Sequence, residues 1–312
     1  MTEPHFTGRG SRRWGAAAAM LATVALGGCA GTIDAPGPIA GATPEAVTAD
    51  AAPAEIASAG AATALSSVTL TGKTRGIDPP FAVVKIFYAT DRAKTGATEP
   101  NDIFGGGRGP LSLGLCEVSI PRDHRLAQLE GPAITRLEFR ENPEKHIVLL
   151  GVKEAKAADY YRELGKRVGA SRGRSALIFI HGYNVSFSEA ARRTAQLAYD
   201  LAFDGAPIVY SWPSQGTVSG YVVDVNNSEW TAAHLERFLA DVGNRSGVDN
   251  IYLIAHSLGT RATTEAIRNL AQSEPGIRSK IREVVLAAPD IDAEIFRRDI
   301  APRIVTREPS IT

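Results

Sequence analysis

From position 81 onward the chain alternates between short apolar runs and longer stretches in which apolar residues recur every three or four positions. Residues 82–90 (AVVKIFYAT) are β-branched and aromatic, which predicts a strand. Further strands are expected at 113–120, 134–140 and 146–151. The run Gly105, Gly106, Gly107 with Gly109 lacks a Gly-Lys-Ser/Thr ending and no helix follows it. It therefore reads as a plain loop and not as a phosphate cradle. From Ser175 the pattern becomes strand, helix, strand, helix. Residues 176–180 are wholly apolar, as a strand buried on both faces requires. Residues 186–202 suit a helix, with Ser186 and Glu189 at capping-box spacing. Strands follow at 207–212, 250–255 and 281–287. Helices are expected at 228–242, with Trp230, Leu235, Phe238 and Leu239 on its apolar side, at 258–272, and over the short span 292–299. Such alternation predicts an α/β fold: a mostly parallel sheet with helices on both faces.

The first 78 positions do not share this texture. Arg9, Arg12 and Arg13 precede an apolar stretch at 14–26 that is too short to span a bilayer. This predicts an export signal over residues 1–29. Leu26-Gly27-Gly28-Cys29 resembles the lipobox of bacterial lipoproteins. That resemblance implies a lipid anchor on the Cys29 thiol, with enough acyl chain for stable attachment. An exported protein held at the bacterial membrane is the expectation. Residues 30–78 are rich in Ala, Gly, Pro, Thr and Ser. They bury too little apolar surface to offset ordering entropy, so a flexible tether is expected, with one domain over 79–312.

Composition narrows the options. The 34 basic residues balance the 34 acidic ones, so there is no basic excess for a nucleic-acid partner. Two cysteines, Cys29 and Cys116, exclude a disulfide framework, and no Cys/His cluster has metal-site spacing. No metal or organic cofactor is expected.

Two segments carry candidate chemistry, each at the carboxyl end of an expected strand, where open α/β sheets bind ligands. Ala255-His256-Ser257-Leu258-Gly259 lies between a strand and a helix. A serine there is held on a sharp turn with its hydroxyl outward, and small residues two before and two after allow strand and helix to approach. Ser257 is the candidate nucleophile, and the Leu258 N–H opens the helix toward a developing oxyanion. His181-Gly182-Tyr183-Asn184 follows the 176–180 strand, and the Tyr183 N–H is the candidate second donor.

Together these residues resemble the α/β-hydrolase superfamily. The stretch from about position 88 to the end is similar to a group of bacterial α/β-hydrolases of unknown function, many of them lipoproteins. The resemblance rests on FYATDR (87–92), CEVSIP (116–121), HGYN (181–184), YSWPS (210–214), IAHS (254–257) and AAPDID (287–292). It implies cleavage of an ester or related acyl bond in a small-molecule or lipid substrate, through an acyl-enzyme. The chain departs from the family pattern: Ala255 stands where the elbow usually has its first glycine, and the triad is incomplete. The triad order is serine, acid, histidine, yet of His5, His124, His146, His181, His234 and His256 none follows Ser257. A domain lacking its last strands is therefore expected, and with it a catalytically impaired, hydrolase-like binding protein as the alternative function. Asp290 or Asp292 could serve as the acid; the competing reading has Asp292 capping a helix and Asp290 in a turn. His256 is expected to turn away from the serine, and His181 to fix the oxyanion loop. Trp212 and Tyr183 line an acyl pocket or belong to the core.

Overall fold

The computed structural model describes residues 68–70, 80–132, 138 and 140–304. The expected export signal, Cys29 and most of the expected tether lie outside the described residues, as does most of the strand expected at 134–140. Within the span read as tether, Val68–Leu70 forms a short strand, β1, paired antiparallel to the next strand.

The remaining strands are β2 (Phe81–Lys94), β3 (Phe104–Pro121), β4 (Val148–Glu154), β5 (Ser175–Ile180), β6 (Ala206–Ser211), β7 (Asn250–His256) and β8 (Ile281–Ala287). They form one eight-stranded sheet in the order β4-β3-β2-β6-β5-β7-β8, with β1 beside β2. Strands β2, β6, β5, β7 and β8 run parallel, and β1, β3 and β4 pair antiparallel. This is the mostly parallel α/β sheet that the alternation predicts. The central strands β5 and β6 are buried at every position, which explains their uninterrupted apolar sequence.

Four main helices cover the sheet: α1 (Ala157–Ala170), α2 (Phe187–Asp200), α3 (Tyr221–Arg245) and α4 (Gly259–Ser273). Ser186 and Glu189 cap α2 reciprocally, each side chain meeting the other's backbone N–H. On one face, Phe187, Ala190, Ala191 and Ala195 of α2 pack on Ile86, Tyr88, Val118 and Val209. On the other, Leu164 of α1, Phe238 of α3 and Ile267 of α4 pack on Ile178, Ile208 and Leu253. Each fully buried Val, Leu, Ile or Phe among these contributes on the order of 1.5–3 kcal/mol.

Beyond shifts of a few residues at element ends, the structure departs from the sequence reading in three places. The glycine run at 105–109 is strand and not loop, because it lies inside β3. Its glycines admit neighbouring backbone: a Cβ at Gly109 would sit 2.7 Å from the Arg92 carbonyl oxygen, and one at Gly106 would sit 2.9 Å from Gln215 Cα. Helix α3 begins seven residues earlier than expected, at Tyr221, and its first turn exposes Val222 and Val223. Helix α1 was not anticipated, although Tyr160, Tyr161, Leu164 and Val168 form its buried stripe at helical spacing.

The route of the chain sets the site. From β5 it crosses through α2 on one face to β6, and from β7 through α4 on the opposite face to β8. The loops leaving β5 and β7, which are neighbours, thus turn to opposite sides. Open α/β sheets bind ligands at such a switch point, at the carboxyl ends of the strands.

Candidate active site

Ser257 lies at this switch point, directly after β7. Its φ is +47°, a left-handed conformation that is rare for a residue with a side chain and costs about 1–3 kcal/mol. The surroundings hold it there. Its N–H donates to the Ala287 carbonyl at 3.0 Å, and its own carbonyl accepts from the Thr260 N–H at 3.0 Å and the Asp290 N–H at 3.4 Å. Ser257 is half-buried.

The strand-to-helix turn is tight because two glycines let three backbones converge. A Cβ on Gly259 would overlap the His181 carbonyl oxygen and lie 3.0 Å from that of Ile180. A Cβ on Gly182 would lie 2.8 Å from Ser257 Cβ. The 181–185 loop is therefore packed against the serine. Asn184, at φ +55°, turns that loop back, a conformation asparagine tolerates. Among the described residues no hydrogen bond claims the backbone N–H of Tyr183 or of Leu258. Leu258 itself is buried at the N-terminus of α4, whose dipole favours negative charge.

The other residues singled out in the sequence fall as follows. His181 is buried and stacked on Trp212, with ring centroids 5.0 Å apart, while the Trp212 indole N–H donates to the His181 carbonyl at 2.7 Å. Burial first, then the charge of Arg92, holds the His181 imidazole well below its ordinary pKa, so it is neutral. Trp212 is fully buried and belongs to the core. His256 is also held below the ordinary value, by burial and then by Arg193 of α2. Tyr183 is half-buried; its ring packs edge-on against Tyr221 at 5.3 Å, and its hydroxyl donates to the Val218 carbonyl.

Of the two candidate acids, Asp292 accepts from the Glu294 and Ile295 N–H groups, both at 2.9 Å, as the cap of a short helix, Ala293–Ile295. Asp290 lies nearer the serine. Its carboxylate accepts from the Tyr221 hydroxyl at 3.1 Å and faces Arg261 at 3.6 Å, and its carbonyl accepts from Arg261 Nε at 2.8 Å. Among the described residues no histidine ring is hydrogen-bonded to Ser257 or to Asp290.

Sequence reasoning missed three buried charges on the elements around the site, Asp224, Asp91 and Arg92. Asp224 of α3 accepts from Ser214 Oγ at 2.6 Å and the Gln215 N–H at 2.7 Å, tying α3 to the loop after β6. Asp91 accepts from Tyr210, Thr231 and His234. Arg92 reaches the 181–185 loop. The polar triplet Thr90-Asp91-Arg92 at the end of an apolar strand was the available signal. Among the described residues no three His, Cys, Asp or Glu side chains converge as metal ligands, and no helix is long and apolar enough to cross a membrane.

A profile of the family described as "Alpha/beta hydrolase of unknown function" (DUF900) matches residues 156–312. Comparison with curated proteins and with solved structures returned no match.

Proposed function

Because this chain belongs to the α/β-hydrolase family of unknown function matched over residues 156–312, we propose that it is built for acyl transfer at Ser257. The Ser257 hydroxyl adds to an ester carbonyl, the bond to the alcohol breaks, and the serine proton leaves with that alcohol. Water then releases the acyl group as a carboxylic acid and restores the hydroxyl. The Tyr183 and Leu258 N–H groups hold the oxyanion formed in each step. The substrate is a small-molecule or lipid ester. One observation carries the reading: a serine at positive φ on a strand-to-helix turn, with Gly182 packed against its Cβ.

With no imidazole on the hydroxyl among the described residues, acylation is slow. An oxyanion hole and binding alone leave about 10³–10⁴-fold acceleration over water. Incubation with a nitrophenyl acetate and mass analysis of peptides tests this. An acetyl adduct on Ser257 that disappears in Ser257→Ala is expected; equal acetylation of both proteins overturns the proposal. The same absence of an imidazole favours a second reading, a protein that binds esters without turning them over. Saturable binding of an ester with no Ser257 adduct is its signature.

A further inference from the structure

Arg92 is a densely bonded charge beside the loop that packs against Ser257. It stands at the end of β2, where the pairing with β3 slips twice, at Thr90/Arg92 and Arg92/Lys94. It is 1% exposed. Nε donates to Ser211 Oγ at 2.8 Å. Nη1 donates to the carbonyls of Gly105 at 3.1 Å and Ser214 at 2.8 Å. Nη2 donates to the Val185 carbonyl at 2.6 Å and faces His181 Nε2 at 3.3 Å. All five guanidinium N–H groups thus meet an acceptor, and no carboxylate is among them.

Two of those acceptors bracket the oxyanion loop. His181 opens the segment and Val185 closes it, with Gly182 and the Tyr183 N–H between them. The His181 ring has one consistent tautomer. Its Nδ1–H donates to the Gly182 carbonyl at 2.8 Å, which leaves the single lone pair of Nε2 shared between Arg92 and the Ser211 hydroxyl at 3.1 Å. One planar cation therefore fixes both ends of the loop and the ring that orients its first peptide. A lysine offers three donors from a single nitrogen and cannot span these directions.

We propose that Arg92 is a positioning residue that holds the 181–185 loop in register with Ser257, so that the Tyr183 N–H points at the oxyanion. The link from Arg92 to the loop stands by itself; only its catalytic consequence rests on Ser257 being the nucleophile.

Two measurements on the full chain separate these. The first is amide hydrogen exchange of a peptide covering 181–186, with a β7 peptide as reference. In Arg92→Lys the loop exchanges about tenfold faster while the reference is unchanged. Unchanged loop exchange, or equal acceleration of both peptides, overturns the proposal. The second is phosphonylation of Ser257 by an alkyl fluorophosphonate, resolved into reversible affinity and covalent rate. Arg92→Lys lowers the covalent rate by about ten- to a hundredfold and leaves affinity near wild type. The reverse split overturns the catalytic consequence. A wild-type chain that never labels removes the reading of Ser257, while the exchange result still decides the role of Arg92. Should Arg92→Lys fail to fold, Ser211→Ala removes one acceptor from Arg92 and one partner from His181. It is expected to accelerate loop exchange about fivefold, the worth of one net hydrogen bond; no change overturns the proposal.

Discussion

Gly259 offers the sharpest test of how the turn at Ser257 is built. Alanine is ordinarily the better helix residue by up to about 1 kcal/mol, and Gly259 is the first residue of α4. Here a methyl group would overlap the His181 carbonyl oxygen, whereas ordinary contact begins near 3.4 Å. The obstacle is backbone, so it cannot swing aside; the start of α4 and the 181–185 loop must separate by about 1 Å. Overpacking of this kind costs about 1–3 kcal/mol. The same carbonyl accepts the Trp212 indole N–H at 2.7 Å, and straining that bond adds up to about 1 kcal/mol. Against the small helical gain, Gly259→Ala should lose about 1–3 kcal/mol in urea unfolding followed by tryptophan fluorescence. Acylation at Ser257 should fall about a hundredfold, because the displacement lies between nucleophile and oxyanion donor. Gly169, near the end of α1, is the control. Nothing lies within 4 Å of its would-be Cβ, so Gly169→Ala should gain about 0.5–1 kcal/mol. A Gly259→Ala protein as stable and as reactive as wild type would refute the close-approach argument.

The Tyr88 hydroxyl is buried and has no hydrogen-bond partner among the described residues. Tyr88→Phe should therefore raise stability by about 1 kcal/mol in the same urea titration, where a loss would show that the hydroxyl is satisfied in solution. Stability should also fall as pH drops from about 6.5 to 5.5. His181 and His256 are held below the ordinary imidazole value, by burial first and then by Arg92 and Arg193 respectively, so the unfolded chain takes up protons that the folded one refuses. Their stabilisation is complete above about pH 6.5 and is lost as pH falls toward their folded values, by at most about 1.4 kcal/mol per unit each. His124 opposes them: burial would lower it, but its bonds to Asp200 and Glu130 prevail and raise it, so its contribution is present below about pH 6.5 and lost as pH rises through its folded value. Two sites against one give a net loss on acidification, and urea midpoints that stay level or rise between pH 6.5 and 5.5 would contradict it.

What could be read from the sequence, and what could not, divides by the range of the physics involved. Strands β5 and β6 were legible because burial on both faces demands apolar residues at every position, a requirement written in consecutive letters. The turn at Ser257 was legible because close approach demands small residues at fixed offsets, and Ala255 and Gly259 stand at those offsets. The same property misled at 105–109. Glycine is required both where a chain is free and where another backbone presses against it, and the distinction lies in the partner. Here the partner is the Arg92–Ala93 backbone of β2, with its own sequence 15 or so positions away, and Gln215 beyond it. Arg92 extends the point. Its acceptors include residues 119 and 122 positions distant, and only the charge of Asp91, next to it in the chain, hinted at a buried cation there. Isolated, such a charge would be costly to bury; with five acceptors on its N–H groups it is tolerated, its pKa lowered only to about 10, because burial lowers it while the charges of Asp91, Asp224 and Glu189 oppose. A cation retained at that expense, in β2 but bonded to the loop that packs against the serine, is better accounted for by what it orients than by the stability it adds.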